Sequence, residues 1–362
     1  MIKAITTAPS TTVPIDGASS EISNYSTKRE KQRKSKWFTR STQREPSVWM
    51  ILAILQVLFF FFGIPVISRN YVWNQLFGPI IASHPTHGNE IAKFVFFLVT
   101  PLPFFVVYNL MMLPIYAGNF PFFERYRIQQ HVCWPWFDPR PEVREAIWKL
   151  IHRSLKLGAL NLGVVIPAFN AFKIYVEREI FKKDSTFFLQ TDDGHWPSTG
   201  KIIRDLFLMV VIQDFAAYVA HKAMHIYPTL YKFHKAHHEY KINITLATQH
   251  FHPIEAIIIG MIPVHLPSFF VRDAHSITWF MYLLWTMLAS LEDHVGYTFP
   301  WSPFRWFPGS VLTEEHEFHH SMNAGCYGFK FTWFNSLFGG YEVYNRYCAK
   351  RDREAFKTKV LG

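Results

Sequence analysis

Polar and apolar residues in this chain segregate into blocks rather than alternating. Residues 48–68 ("VWMILAILQVLFFFFGIPVIS") carry no charge, and residues 94–116 ("FVFFLVTPLPFFVVYNLMMLPIY") carry none either. A helix needs about 20 apolar residues to cross a hydrocarbon core of about 30 Å, so both are predicted to span a membrane. The first block begins too late and is too long for a cleaved signal peptide. The three prolines of the second are better tolerated in a membrane bundle than in an exposed soluble helix. Later blocks at 157–172, 202–220, 254–271 and 276–291 are less clean. Asn161 and Asn170 interrupt the first of these, and Arg204, Asp205 and Asp214 lie in the second. The last two are joined only by "RDAH" and predict a hairpin. Each pair either crosses twice or dips in and returns, with a buried core helix as the alternative for each block; in both membrane cases the chain returns to its starting side.

Charge then orients the blocks. Residues 1–47 are rich in Ser and Thr, and "KREKQRKSKWFTR" (28–40) sets basic residues against the first span. Such a segment cannot bury enough surface to fold and is expected to be a disordered tail. Residues 118–156 are also basic, whereas residues 70–90 contain no Lys or Arg. By the positive-inside rule the tail and the 118–156 segment are cytosolic and the 70–90 loop lumenal. The basic run is expected to meet anionic lipid headgroups, not nucleic acid. Two glycosylation sequons, at Asn24 and Asn243, both fall on the cytosolic side. The predicted organisation is the tail (1–47), N-terminal membrane helices and their connections (48–200), a histidine-rich domain (201–345) and a basic C-terminal tail (346–362). A hydrophobic content of 49% and 36 phenylalanines fit a membrane protein better than two soluble domains. Three cysteines without a C-x-x-C pair argue against a disulfide framework or a thiolate metal site.

The candidate chemistry is concentrated downstream. Thirteen of the 18 histidines lie from His221 onward, and eight of them form three boxes. These are "HKAMH" (His221, His225), "HKAHHEY" (His234, His237, His238) and "HEFHH" (His316, His319, His320). On a helix, H-x-x-H-H sends its rings from one face within about one turn, which is a ligand geometry. Eight imidazoles exceed the four ligands of a structural zinc, and imidazole suits iron, copper and nickel equally. Two metals sharing about eight to ten neutral nitrogens is the simplest arithmetic. His294 in "LEDHVGY" and His252 in "QHFHPIE" are further candidate ligands, while His250, His265 and His275 are expected to be structural. Asp214 and Glu292 are candidates to orient imidazoles, as carboxylates often do. The topology puts all three boxes on the cytosolic face. A metal transporter would set its ligands near the midplane of several spans, whereas these boxes flank the spans; a non-catalytic metal-stabilised scaffold is the other alternative.

The boxes H-x3-H, H-x2-H-H and H-x2-H-H, in this order between apolar helices, resemble the fatty acid hydroxylase and sterol desaturase superfamily of membrane non-haem di-iron oxygenases. The resemblance covers roughly residues 200–345. Within it, "HKAHHEY", "HPIE", "EDHVGYTFPWSP", "HEFHH" and "FKFTWFNSLFGG" look most like methylsterol (carbon 4) monooxygenases, and "LATQ" with "EDHVGYTFPWS" also resembles cholesterol 25-hydroxylase. The chain departs from the pattern in three places. The first box has three intervening residues, not the four of fatty acid 2-hydroxylases; Gln213 precedes Asp214 where relatives commonly carry an acid; and "KTKVLG" sets its lysines one place out of frame for a dilysine retrieval signal.

The resemblance implies an all-α fold, an integral membrane bundle of about four to six membrane-embedded helices with a cytosolic histidine-box di-metal domain. It implies two non-haem iron ions, electrons from NAD(P)H through cytochrome b5 or a reductase, and a multi-pass endoplasmic reticulum membrane protein with cytosolic termini. A formal charge of +10 suits an acidic electron donor. The substrate implied is a sterol, oxidised at a 4-methyl group with O2, or another lipid; sterol side-chain hydroxylation and fatty-acyl or sphingolipid hydroxylation are the alternatives.

Overall fold

The computed structural model describes residues 47–84, 88–180, 196–307 and 309–361. The N-terminal tail, Asn24, His87 and His195 therefore lie outside the described residues. Among the described residues the chain is helical, and its only extended pairings are two isolated bridges, Arg127 with Tyr297 and Ser310 with Phe331. Residues 45–347 form one compact unit.

The first apolar block is helix α1 (Val48–Tyr71). Helical turns continue beyond it to Ser83, so much of the expected 70–90 loop is helical, and Pro79 falls where π turns give way to α turns. The second block is not one helix. It divides at Thr100 into α2 (Gly88–Val99) and α3 (Pro101–Gly118), because Pro101 and Pro103 have no N–H with which to continue the ladder of α2, yet fit the first turn of a new helix. The 157–172 block is the middle of a far longer helix, α4 (Pro141–Ile180), which accommodates π turns at Asn161–Val165 and Val176–Ile180. Both α1 and α4 are long and apolar enough to cross a bilayer.

Helix α5 (Thr199–Ile226) begins at Ser198, whose hydroxyl accepts from the Lys201 N–H. Its buried positions Leu206, Met209, Gln213, Ala217, His221 and Met224 recur at three- and four-residue spacing and form one stripe. Then come α6 (Pro228–His234), α7 (Pro253–Phe269), α8 (Ser276–Asp293), α9 (Thr313–Met322), α10 (Thr332–Phe338) and α11 (Glu342–Leu361). The segment expected as a C-terminal tail is thus helical. Helix α8 is the central element. Its Ile277, Trp279, Met281 and Tyr282 pack with Leu206 and Met209 of α5, Phe96 of α2 and Val264 of α7.

The outer faces are apolar and open. Leu110 and Met111 of α3 are 61% and 64% exposed, and Leu55, Phe59, Val164, Phe215 and Val219 are exposed likewise. Surfaces of this kind on several helices are those of a membrane-embedded bundle. In such a setting apolar burial adds little driving force between helices, and packing and internal polar bonds carry more of the specificity.

One such polar element stands out. Asp214, buried on α5, accepts the backbone N–H groups of Phe329 (3.2 Å), Lys330 (2.9 Å) and Phe331 (2.8 Å). It pins the strand-like approach to α10 against the bundle. Asn243, the second sequon, is wholly buried with its N–H directed at Glu317, so the folded protein cannot present it for glycosylation from either side. Replacing Asp214 by Ala leaves two buried N–H groups, those of Lys330 and Phe331, unpaired at about 1–3 kcal/mol each, and the half-buried one of Phe329 besides. Asp214→Ala is expected to lower the melting temperature sharply and Asp214→Asn, which keeps one acceptor, to do so less; thermal melts in detergent check both.

Candidate di-metal centre

Nine histidines converge in two adjacent groups. His221, His225, His234, His238 and His319 form one and His237, His294, His316 and His320 the other, with the ligand atoms of each group within 4.8 Å of one another. All are buried except His225, which is half-buried.

The split follows from helix geometry. His221 and His225, at i and i+4 near the end of α5, face the same pocket. In the third box α9 stays α-helical, so His316 and His320, again i and i+4, share the four-histidine pocket, while His319, about 100° away around the helix from His320, turns to the other. The second box departs from the predicted single helical face. Helix α6 ends at His234, and His237 enters a tight 3₁₀ turn, His237–Glu239. His234 and His238 therefore serve the five-histidine pocket and His237 the four-histidine pocket. His294 follows the C-terminus of α8. In both H-x-x-H-H boxes the adjacent pair divides between pockets.

Four of the nine rings have an acceptor for the Nδ1 proton, whereas Nδ1 of His237, His238, His316 and His320 has no partner among the described residues. Nδ1 of His221 donates to the Tyr327 carbonyl (2.9 Å), that of His319 to Gly325 (2.6 Å), that of His294 to Ser290 (2.8 Å) and that of His234 to Glu255 Oε1 (2.6 Å). With Nδ1 protonated, Nε2 is bare. The Nε2 atoms of His221 and His234 nevertheless lie 3.2 Å apart, so lone pair faces lone pair with no proton between them. Burial also keeps the rings uncharged: it holds His234 down at about 3 and His294 at about 4, and it pushes His237, His238, His316, His319 and His320 well below the ordinary histidine range, helped by their neighbours. Convergent, neutral, dry nitrogen donors, four of them with the outer N–H anchored, suit a pair of transition-metal ions. The donor set fits two such ions.

The other candidates lie elsewhere. The His252 ring accepts from the Ile254 N–H as the N-cap of α7 and packs on Phe233, away from both pockets. Asp214 reaches no imidazole; it holds the 329–331 backbone, from which Phe329 stacks on His221 at 4.7 Å. Glu292 accepts from the Tyr108 hydroxyl (3.2 Å). His250 bonds Ser154, His265 stacks on Phe169 and His275 caps α8. The residue that sequence reasoning passed over is Glu255, in the quoted "HPIE"; an acid at the mouth of an apolar helix was the available signal.

The fatty acid hydroxylase family model matches residues 206–340, a span that contains all nine converging histidines. This part of the chain is similar to a fatty acid hydroxylase domain. Curated relatives extend the likeness. A Dictyostelium discoideum protein named "Putative methylsterol monooxygenase" is 29% identical over 269 residues, covering 72% of this chain and 86% of its own. A Schizosaccharomyces pombe C-4 methylsterol oxidase is 29% identical over 171 residues, 46% of this chain and 56% of its own. A very-long-chain aldehyde decarbonylase of Oryza sativa is 28% identical over 242 residues, 66% and 81% respectively. No solved structure matches.

Two outcomes follow for this part of the chain. After α9 the chain turns through Asn323 (φ 54°), Gly325 (φ 70°) and Cys326 (φ 52°), and a Cβ on Gly325 would sit 2.7 Å from the Gly340 carbonyl oxygen. Gly325→Ala is expected to displace the carbonyl that holds His319 and to reduce bound metal as measured by elemental analysis, with a strain cost of about 1–3 kcal/mol.

The second outcome concerns acidity. Folded-state histidine values lie below the unfolded value of about 6.5, so the stability they allow is complete above that pH and is lost as the pH falls toward about 4 and 3. Each contributes about 1.4 kcal/mol per pH unit in that window. The buried acids Glu292, Asp293 and Glu317, pushed up to about 7, act in the opposite sense over the same range and offset part of that loss. Metal-free protein is expected to melt at progressively lower temperature as the pH falls below about 6.5; a melting temperature unchanged across that range would contradict the neutral-cluster assignment.

Proposed function

We propose that this protein is a membrane di-iron oxygenase that hydroxylates a lipid C–H bond, foremost at a 4-methyl group of a sterol. The observation that carries the proposal is the pair of buried pockets in which nine imidazoles turn their nitrogens on one another. His221, His225, His234, His238 and His319 would hold one iron, and His237, His294, His316 and His320 the other. When bound, the two irons supply the activation of dioxygen that an unactivated C–H bond demands.

The chain's own contribution is orientation and dryness. Carbonyls of Tyr327, Gly325 and Ser290 fix three rings. Phe251, packed on His237, and Phe329, packed on His221, cover the pockets with hydrocarbon and exclude water. One oxygen atom enters the substrate and the other leaves as water, so each turnover takes up two electrons and two protons. NAD(P)H through cytochrome b5 or a reductase is the source we propose, and the formal charge of +10 favours an acidic donor.

The sterol is supported by the relatives named for methylsterol oxidation. Rice relatives named for aldehyde decarbonylation match at comparable identity and support an acyl-chain substrate as the second reading. We further propose residence in the endoplasmic reticulum membrane, with termini and metal pockets cytosolic; the basic 118–156 segment supports this orientation.

Microsomes containing the protein are expected to convert a 4-methylsterol to a product oxidised at the methyl carbon, dependent on NAD(P)H and O2, with close to two irons per chain in the purified protein. His238→Ala should abolish conversion and lower the metal content. Oxidation of acyl chains alone would replace the sterol with the second reading, and a purified protein unable to hold two metals would overturn the di-iron assignment.

A further inference from the structure

Each pocket has a hub. In the five-histidine pocket, Nε2 of His234 lies 2.9 Å from those of His225 and His238 and 3.2 Å from that of His221, and His225 also meets three rings, His234, His238 and His319, but without a backing carboxyl. In the four-histidine pocket, Nε2 of His294 lies 3.0 Å from that of His316 and 3.2 Å from those of His237 and His320. The hubs differ in what stands behind them. His294 is backed by a neutral carbonyl, Ser290 O at 2.8 Å. His234 is backed by a carboxyl group, Glu255 Oε1 at 2.6 Å.

Glu255 is wholly buried in the first turn of α7, and its second oxygen has no hydrogen-bond partner among the described residues. A buried acid that gives one oxygen to one imidazole is costly to keep for packing alone. An acceptor on Nδ1 fixes that nitrogen as the protonated one, keeps Nε2 free and holds the ring plane; a carboxyl oxygen does this more strongly than a carbonyl and makes the ring a better donor.

We propose that Glu255 is a positioning residue that fixes the tautomer and direction of His234, and thereby makes the five-histidine pocket the tighter of the two metal pockets. The inference rests on the di-metal reading above and adds an order of filling to it.

The test uses cobalt(II) alone, titrated into the metal-free full-length protein in detergent and followed by ligand-field absorption. Wild type is expected to take up two equivalents of unequal affinity. Glu255→Met fills the same space without an acceptor; it should weaken the tighter equivalent roughly 10–100-fold and leave the weaker one unchanged. Glu255→Gln still offers a carboxamide oxygen to Nδ1 and should recover most of that loss. Glu255→Met also leaves the buried His234 N–H unpaired and is expected to lower the metal-free melting temperature; a merely structural role would weaken both equivalents together, whereas the positioning role weakens the tighter one alone. An unchanged tight equivalent in Glu255→Met, or no recovery in Glu255→Gln at a wild-type melting temperature, overturns the assignment of Glu255 alone. A wild type that binds fewer than two equivalents removes the di-metal reading and this inference with it.

Discussion

Bare imidazole nitrogens facing one another at hydrogen-bond distance, without a proton to share, are the constraint around which this fold is arranged. Water would relieve the contact and so would protonation, but the rings are buried and held neutral. What remains is to keep every ring from rotating away. For four of the nine rings the chain does so from behind, through Nδ1 acceptors drawn from four separate places: the turn after α9, the stretch before α10, the last turn of α8 and the start of α7; the others are held by ring packing. None of these acceptors is local to the histidine it serves except Ser290 and Gly325. The pockets therefore form only when the bundle is complete, and Asp214, although it touches no imidazole, matters because it fixes the backbone from which Tyr327 and Phe329 reach His221.

The doubled histidine is the device that makes two pockets from so few residues. Neighbours on a helix point about 100° apart, too far to meet at one ion and suitable for two ions side by side. Box three does this on a regular α-helix, and box two on a helix end followed by a 3₁₀ turn. The first box lacks the doublet, and both its rings serve one pocket. His294 makes up the deficit in the other.

Much of this was legible in the residues, and the rest was hidden for identifiable reasons. Apolar blocks marked α1, α5, α7 and α8, and the three spacings marked eight of the nine converging rings, because periodicity is a property of short stretches. Proline chemistry divided the 94–116 block, and the polar first half of α4 concealed a helix of 40 residues whose apolar part alone is conspicuous. Partners far apart in sequence were the hardest to see. Asp214 and Glu292 are acids near histidines along the chain, yet their bonds go to the 329–331 backbone and to Tyr108; Glu255 lies 21 residues from His234 and meets it at 2.6 Å. His252, adjacent to the apolar block as His294 is, turns instead to cap α7, a choice set by backbone direction rather than by composition.

Charge around the pockets completes the electrostatic logic. Asp214, Glu255, Glu292, Asp293, Glu315 and Glu317 are all buried, against Lys330 as the one buried basic side chain among the described residues. Buried acids in such excess are unfavourable in a low-dielectric interior unless positive charge is near or their protons are retained. Neutral imidazoles would leave a bound metal pair with its full charge, and of these acids only Glu255 meets a converging ring, through His234. The others direct their oxygens elsewhere, Asp214 to the 329–331 backbone, Glu292 to Tyr108, Glu315 to Tyr341 and Glu317 to Gln129. Burial pushes Glu292, Asp293 and Glu317 up to about 7, so proton retention rather than neighbouring charge is what makes their burial tolerable.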